Sequence, residues 1–506
     1  MPRSPPPPPR ECGTRSRRRC RRPGSTPTPA GRRGPSRRRS TACRSCCRRC
    51  SRAPFASVVL PAGAVPVLVF SPVRGSAMRL QIQSEIGKLR AVVVHEPGRE
   101  IDRMVPSMMQ NLLFDDVLHG ARAREEHRRF QQLLRFLGAE VLEIRDLLEE
   151  VLRDPDRRGL VLSDLVEELH LPPSLLPLLS DLPADRLASA LVEGVEHERP
   201  EISESTDSLY RLPPVPNWFF QRDPAIVVGD RIVRASMATA ARAREPLLSG
   251  NVFEHHPRFA REGGAFWFRE FSADFGRPVS FARMRPTLEG GDVLVLREDV
   301  LAIGYSERTE KITIERLAEA LKREGSPVKR IFVVAIPPAR SYMHLDTVFT
   351  QVSRHECLCY APMILAGGAE EADVYMADLT RREVTWTTEG DLLTALKHRR
   401  IDLEPIPCGG ADPIDQQREQ WTDGANAFAL APGVILCYDR NERTAEELSR
   451  RGYEIVPDDD LLMGRRAVDP RKGRKVALLL TSTELSRARG GPRCMTMPLV
   501  RDPVEG

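Results

Sequence analysis

A unit of secondary structure recurs along this chain, and it limits the folds that the sequence can adopt. Each copy has the order strand, turn, strand, helix and strand, judged from apolar runs, turn residues and helical spacing. Copies that return about every forty to sixty-five residues favour a modular or closed α/β architecture over a doubly wound sheet. The clearest copies occupy residues 293–335 and 427–456, and a hairpin at 225–235 begins another.

Two further segments are predicted to be helical. Between residues 116 and 136 apolar side chains fall at helical spacing, and Gly138 supplies a stop. Residues 146–205 are rich in leucine and acidic residues and contain prolines, which predicts an all-helical insertion. We therefore divide the chain into an extension at 1–77, the start of the main domain at 78–145, the helical insertion at 146–205 and the remainder of the main domain at 206–506.

The first fifty-four residues consist largely of Pro, Arg and Ser and have almost nothing to bury, so we predict disorder. Three interpretations stay open: a natural basic tail, a targeting peptide followed by the apolar stretch 58–70, or a start codon assigned upstream of Met78. A cluster of cysteines here has C-x-x-C spacing but lacks a second pair, and we do not predict a zinc site. Its members are Cys43, Cys46, Cys47 and Cys50.

Charge is divided unevenly along the chain. The net charge is +6, but residues 1–77 hold eighteen arginines and one acidic residue, about +17, which leaves about −11 for the rest. An acidic body argues against a nucleic-acid surface and fits a site that attracts a cationic small molecule. No apolar run reaches the length of a transmembrane helix, so no membrane association is predicted.

The cysteines of the body indicate a reducing compartment. They are odd in number and irregular in spacing, which argues against a disulfide framework and favours the cytoplasm. They are Cys357, Cys359, Cys408, Cys437 and Cys494.

Five short segments place polar residues next to apolar strands, where side chains can point into a shared cavity. Each has an ordinary structural alternative when taken alone. The two carboxylates of Glu289-Gly-Gly-Asp292 could be solvated acids of a turn, and Asp223 could form an ion pair with Arg222. The segments are 217–223, 289–292, 343–346, 438–441 and 489–498.

His344 and Asp346 alternate on what the pattern predicts to be a strand, so both side chains should face the same way. A structural pair is the alternative to a functional one. Cys494 follows a Gly-Gly-Pro turn and is flanked by Arg489 and Arg493. An exposed loop thiol between positive charges should have a lowered pKa and act as a nucleophile, whereas a buried thiol would be inert.

Together these segments resemble the arginine deiminases, within the superfamily of guanidino-modifying enzymes that includes amidinotransferases. The resemblance runs from about Leu80 to Pro503. Departures from the family pattern are Gln221, Ala488 and Arg493. The motifs that carry it are Ser84–Arg90, His95–Gly98, Leu112–Val117, Asn217–Pro224, Thr287–Asp292, Gly304–Thr309, Met343–Phe349, Arg418–Trp421 with Asp423, Pro432–Asn441 and Cys494–Pro498.

The resemblance implies hydrolysis of L-arginine to L-citrulline and ammonia, in arginine degradation, by a five-bladed pseudo-symmetric α/β-propeller of ββαβ units with a helical insertion. It implies that Cys494 forms a covalent amidino intermediate and that His344 protonates the departing ammonia and then activates water. Asp223, Asp346 and Glu289 would hold the guanidinium. The implied substrate-binding set is Asn217, Phe220, Arg242, Asp292, Arg308 and Arg489, of which Arg242 and Arg308 would bind the α-carboxylate.

Elementary chemistry agrees with these roles. A guanidinium stays charged at any working pH and is a poor electrophile, so it has to be held and desolvated. Carboxylates match its forked donors and fix its plane for attack by sulfur. A metal ion would be repelled by the same cation, so neither a metal nor another cofactor is predicted. We also expect a homo-oligomer, a dimer or a tetramer.

Three other functions are compatible with parts of the sequence. Within the superfamily the chain could be an amidinotransferase or a deiminase of another guanidine such as agmatine, although two arginines for a carboxylate favour an amino acid. A non-catalytic arginine sensor would not need a thiol. A basic nucleic-acid-binding module is supported by residues 1–54 alone.

Overall fold

The computed structural model describes residues 77–169, 171–172, 174–198, 209–259, 264–268, 286–470 and 472–504. The predictions for the basic extension and its cysteine cluster lie outside these residues. Among the described residues no helix has both the length and the apolar character needed to cross a membrane.

The described residues form a mixed α/β structure. The strands are β1 (Leu89–Val94), β2 (Glu140–Glu143), β3 (Val195–Glu196), β4 (Tyr210–Leu212), β5 (Ala225–Val228), β6 (Arg231–Arg234), β7 (Phe266–Phe268), β8 (Val293–Arg297), β9 (Val300–Tyr305), β10 (Arg330–Ala335), β11 (Phe349–Gln351), β12 (Glu356–Cys359), β13 (Val374–Asp378), β14 (Thr385–Thr388), β15 (Glu404–Pro407), β16 (Phe428–Ala431), β17 (Val434–Tyr438), β18 (Glu454–Pro457), β19 (Val476–Leu480) and β20 (Met497–Arg501). The helices are α1 (Arg99–Asp102), α2 (Met109–Leu112), α3 (Gly120–Phe136), α4 (Ile144–Leu152), α5 (Pro155–Leu169), α6 (Leu175–Ser180), α7 (Ala184–Glu193), α8 (Arg244–His255), α9 (Lys311–Arg323), α10 (Ala361–Ile364), α11 (Leu392–Lys397), α12 (Pro413–Trp421), α13 (Glu442–Arg450) and α14 (Asp458–Leu462).

Five of the sheets in the described part share one core of three strands. In each, a first strand pairs antiparallel with a second, and the second pairs parallel with a third. Parallel pairing requires a crossover, which accounts for the helix in the predicted unit. The cores are β5–β6–β7, β8–β9–β10, β11–β12–β15, β16–β17–β19 and β20–β1–β2.

The fifth core joins the two ends of the described fold. β1 lies between β2 and β20, and its residues Val92 and Val93 are opposite Pro498 and Met497. β1 is rich in valine and its residues other than Arg90 are buried, as a strand covered on both faces requires. This pairing places the segment that follows Cys494 beside the beginning of the domain.

The predicted hairpins and the strand 330–335 are confirmed by β5–β6, β8–β9 and β10. In the copy at 427–456, the last strand, β18, forms as predicted but does not touch β17, because β19 inserts between them. The sequence pattern of this copy predicted its strands and helix, but it did not predict that β19 lies between β17 and β18.

Helices form where they are predicted, but with different bounds. The strand β3 (Val195–Glu196) lies within the segment 146–205 that is predicted to be all helical, and part of that segment lies outside the described residues. Residues 144–193 form α4 to α7, and α4 packs against α7 and α8. The helix predicted from residue 116 begins at Gly120 instead, since the ring of His119 accepts a hydrogen bond from the backbone N–H of Arg122 and caps it.

Candidate active site

The predicted catalytic residues lie just ahead of the first strands of different cores. Asp223 precedes β5, Glu289 precedes β8, His344 and Asp346 precede β11, and Cys494 precedes β20. All five are at most 5% exposed. The fold therefore gathers residues that are distant in sequence by placing equivalent ends of its sheets together.

Cys494 lies in a buried site of negative charge. Its Sγ is 3.7 Å from Oδ2 of Asp346, and its carbonyl accepts a hydrogen bond from the backbone N–H of Arg222 (3.0 Å). Burial and the carboxylates of Asp346, Asp223 and Asp423 raise the pKa of the thiol well above its ordinary value. The predicted lowering of this pKa is therefore wrong, and the resting group is a thiol.

The guanidinium groups of the two flanking arginines bind other side chains and not the Cys494 sulfur. Arg493 is fully buried and turns away, donating to Oδ2 of Asp346 (2.7 Å) and to both carboxylate oxygens of Glu85 (3.2 Å each). The guanidinium of Arg489 lies over the ring of Trp421, 3.3 Å from its centroid. Both positive charges are thus committed to other partners.

Residues 345–347 form a turn of 3₁₀ helix, so the predicted strand through His344 and Asp346 is wrong. Asp292 imposes this turn, because its Oδ1 accepts the backbone N–H of Leu345 (2.9 Å) while its Oδ2 accepts the hydroxyl of Ser306 (2.7 Å). Both side chains nevertheless reach the site, as predicted. Asp292 supports the turn with Oδ1, and Ser306 holds the carboxylate through Oδ2.

His344 is bound to a carboxylate through one ring nitrogen. Its Nε2 lies 2.9 Å from Oε2 of Glu289, and its Nδ1 lies 4.0 Å from Oδ1 of Asp223. Burial alone would lower the pKa of His344, but Asp223 and the hydrogen bond that the ring donates to Glu289 raise it to about 9. The imidazole is therefore protonated at neutral pH. Gly291 has no side chain here because a Cβ would stand 2.5 Å from Nδ1 of the ring.

Arg242 is surrounded by carboxylates. It donates to Glu245 and to Oδ2 of Asp223 (3.0 Å) and lies 3.5 Å from Glu289. Although burial opposes it, Glu245 and the other two acids raise the pKa of Arg242. The ion pair of Asp223 with Arg222, which was the structural alternative for this carboxylate, does not form; Asp223 pairs with Arg242 instead.

Among the carboxylates predicted to hold the guanidinium, two oxygens have no hydrogen-bond partner within the described residues. They are Oδ1 of Asp223 and Oδ1 of Asp346, and both are buried. A buried acceptor without a donor costs free energy, so such an atom in a native structure calls for an explanation, such as a catalytic role, an ordered water molecule or a ligand. Two of them near one sulfur fit a small molecule with several N–H donors.

The remaining predicted binding residues line the same region. Arg308 is buried and makes a single ion pair within the described residues, 4.0 Å from Glu289. Asn217 donates to the carbonyl of Leu112 (2.7 Å). The ring of Phe220 lies so close to Gly490 that a Cβ there would stand 2.2 Å from it.

Asp223, Glu289 and His344 could also hold a metal ion, since one ligand atom from each lies within 4.8 Å of the others. Arg242 approaches two of these residues and His344 itself is protonated, so the site already holds two cations. That charge disfavours a third. The absence of a metal and of any cofactor stays a prediction.

Two residues that support the site were not found from the sequence. Glu85 holds Arg493, which together with Arg222 lowers the pKa of this carboxyl to about 2 although burial opposes it. Glu245 holds Arg242. Glu85 lies within a motif that carried the resemblance, and that was the available signal.

Comparison with known proteins gives one family. A family model described as arginine deiminase matches residues 110–501. The arginine deiminase of Listeria monocytogenes is 35% identical over 439 residues, which cover 84% of this chain and 98% of that protein. The enzyme of the same name from Bacillus cereus is 35% identical over 445 residues, covering 84% and 99%.

Among solved structures, an amidinotransferase from Microseira wollei aligns with a TM-score of 0.46 at 15% identity, over 84% of this chain and 98% of that one. A dimethylarginine dimethylaminohydrolase aligns with a TM-score of 0.43 at 14% identity, over 81% and 99%.

Proposed function

The chain belongs to the arginine deiminase family, whose members hydrolyse L-arginine to L-citrulline and ammonia, and we propose that it does so with Cys494 as the nucleophile. The observation that carries this proposal is the pair of unpartnered oxygens on Asp223 and Asp346. A guanidinium presents N–H donors on both edges of a plane, so two carboxylates can hold it and present its central carbon. Asp346 already lies 3.7 Å from the sulfur.

The substrate supplies the charge that ionises the thiol. Without a ligand, burial and the nearby acids keep Cys494 protonated. A guanidinium between Asp223 and Asp346 offsets their negative charge and adds its own, which favours a thiolate. The thiol proton leaves to solvent water, and the ammonia released later takes up a proton to leave as ammonium. The reactive sulfur is thereby formed only when its target is present.

His344 moves the protons. The Cys494 sulfur forms a bond to the guanidinium carbon, and the bond from that carbon to a terminal nitrogen breaks as His344 donates the proton that ammonia needs. His344 then takes a proton from water, which adds to the amidino carbon. The carbon–sulfur bond breaks, the hydroxyl proton passes to sulfur, and citrulline leaves.

The amino-acid end of the substrate is assigned to the neighbouring polar residues. Arg308 is the main contact for the α-carboxylate, because its charge is the less compensated of the two candidates. Arg242 holds one oxygen of Asp223 so that the other faces the guanidinium. Asn217 and Phe220 line the site. Asp292 acts through the turn it supports, and Arg489 lies at the edge of the site.

The shared strand pattern of five sheets supports a five-bladed α/β-propeller with the site at its centre. The regions 1–77, 78–145, 146–205 and 206–506, a homo-oligomer and a cytoplasmic location belong to the same proposal.

The test is rapid quenching of the enzyme with isotopically labelled L-arginine, followed by mass spectrometry of the peptide that contains residue 494. We expect a transient labelled adduct on Cys494 and accumulation of citrulline. Cys494→Ser should show neither. Agmatine in place of arginine should react poorly, because it lacks the carboxylate for Arg308.

Full turnover by Cys494→Ser would overturn the proposal. Equal rates with agmatine and arginine would leave the nucleophile in place but refute the assignment of Arg308.

A further inference from the structure

We propose that Asn426 is a positioning residue that fixes the Cys494 sulfur against the Asp346 carboxylate, an inference that rests on the proposed function. It was not among the residues predicted from the sequence. It is fully buried and lies immediately ahead of β16.

The first indication is the place of Asn426 in the fold. Four of the five three-strand cores carry a predicted catalytic residue just ahead of the first strand: Asp223, Glu289, Asp346 and Cys494. In the remaining core the first strand is β16, and the polar residue two positions ahead of it is Asn426. By position, Asn426 is the fifth member of the set.

The second indication is what the amide binds. Its Oδ1 accepts the backbone N–H of Arg493 (3.1 Å) and of Cys494 (3.3 Å). Its Nδ2 donates to the backbone carbonyl of Asp346 (3.2 Å). One side chain therefore joins the backbone of the nucleophile to the backbone of a residue that holds the guanidinium.

The surrounding sequence makes room for this link. A Cβ on residue 491 would stand 2.5 Å from Oδ1 of Asn426, so the close approach requires Gly491. Before the amide, Asp423 adopts a left-handed backbone with φ of 61°, and its carbonyl accepts the N–H of Asn426 (3.0 Å). Asp is one of the few non-glycine residues that adopt this conformation readily, because its short polar side chain can form local hydrogen bonds. The glycine and the turn at Asp423 together allow the amide to reach both backbones.

The link closes a ring with the side chain of Arg493. Arg493 binds the carboxylate of Asp346 through its guanidinium and binds Asn426 through its backbone. Asn426 then returns to the backbone of Asp346. Asp346 is thus held at both its carboxylate and its carbonyl, which fixes the distance that sulfur travels to the guanidinium carbon. A misplacement of about 1 Å can reduce turnover about 100-fold.

The experiment compares Asn426→Ala, Asn426→Ser and a matched control, Asn251→Ala. Asn251 is a buried asparagine of α8 that donates to Asp164 and to a backbone carbonyl. Loss of its side chain tests the general cost of removing a buried amide. Turnover is measured per folded protein, together with KM, the rate of adduct formation on Cys494, and a crystal structure of Asn426→Ser.

We expect kcat and the rate of adduct formation to fall about 100-fold in both Asn426 variants, with KM changed by less than about threefold. Asn251→Ala should lower the melting temperature without changing kcat. A serine is too short to bridge both partners, so the Sγ to Asp346 distance should exceed 3.7 Å in the crystal.

If Asn426→Ala does not fold, Asn426→Ser decides alone. A kcat within threefold of the unsubstituted enzyme, or an unchanged distance in the crystal, would refute the role of Asn426. Citrulline formation by the unsubstituted enzyme, measured beside them, tests the proposed function separately.

Discussion

Two buried histidines in different regions of the molecule look alike by burial and charge. His344 is in the site, and His95 follows β1 in a cluster with Glu100 and Glu143. Burial opposes protonation of both, but neighbouring carboxylates raise the pKa of His344 to about 9 and of His95 to about 10. Neither property distinguishes a catalytic imidazole from a structural one.

The ring nitrogens do distinguish them. In His95 both are occupied, Nδ1 by Glu143 at 2.7 Å and Nε2 by Glu100 at 3.2 Å. In His344 only Nε2 is within hydrogen-bond distance of a carboxylate. An acid or base needs a nitrogen that can pass its proton to a reactant. Both ring nitrogens of His95 are bound to carboxylates, so its positive charge stabilises the fold and is not available to a reactant.

The largest expected effect comes from His344→Gln. Glutamine can keep a hydrogen bond to Glu289 but cannot exchange a proton, so kcat should fall about 10²- to 10⁴-fold. The melting temperature should change little, because Glu289 keeps its ion pairs with Arg242 and Arg308. Citrulline assays and thermal unfolding measure the two. An unchanged kcat in a folded variant would move the acid and base role to another residue.

His95→Gln should give the opposite result. It leaves the buried Glu100 and the half-buried Glu143 without their cation, which costs about 3–5 kcal/mol of unfolding free energy. Turnover per folded molecule should stay close to that of the unsubstituted enzyme. Denaturant unfolding and active-site titration check this, and a large loss of kcat in the folded fraction would contradict the comparison.

A smaller effect is expected in the pH dependence of stability. The pKa of His95 is about 10 in the folded chain and near 6.5 when unfolded, so the folded chain keeps a proton that the unfolded chain loses. Stability from this group is complete below pH 6.5 and is lost as pH rises towards 10. Between about pH 7 and about pH 9 the slope for His95→Gln should be shallower by up to about 1.4 kcal/mol per pH unit. Equal slopes would mean that His95 is neutral.

The smallest effect is expected for His127→Gln. His127 is buried without a carboxylate, and burial together with the charge of His95 lowers its pKa to about 3. Above pH 6.5 it is neutral in both the folded and unfolded states, so the substitution should cost about 1 kcal/mol independently of pH there. Unfolding curves at several pH values test this. If His127→Gln changed the pH dependence of the unfolding free energy as much as His95→Gln does, burial of a histidine without carboxylates would be enough to produce that dependence.

Much of the fold and site could be predicted from sequence. Turn residues and apolar runs placed β5, β6 and β8 to β10, because hairpins are encoded locally. The motifs also predicted that five polar residues beside strands share one site, and the structure places them near one another. They are Asp223, Glu289, His344, Asp346 and Cys494.

The predictions that were wrong are those that depend on the direction of a side chain or on partners distant in sequence. Arg489 and Arg493 flank the thiol in sequence, yet one stacks on Trp421 and the other binds Glu85, so the pKa of Cys494 is raised. Alternation predicted a strand where a carboxylate from another sheet imposes a turn. Asn426 carries no motif, and its role became visible only when equivalent positions of the five cores were compared.

The pairing of β1 with β20 has a consequence for biosynthesis. During translation β1 leaves the ribosome first among the described strands and β20 last, so one edge of β1 has no partner until synthesis of the domain is nearly finished. Cys494, the proposed nucleophile, emerges three residues before that partner. A nascent chain, or one cleaved before residue 494, therefore exposes an unpaired edge of β1 and lacks the proposed nucleophile at the same time. The same last residues cover an edge that favours aggregation and complete the proposed active site.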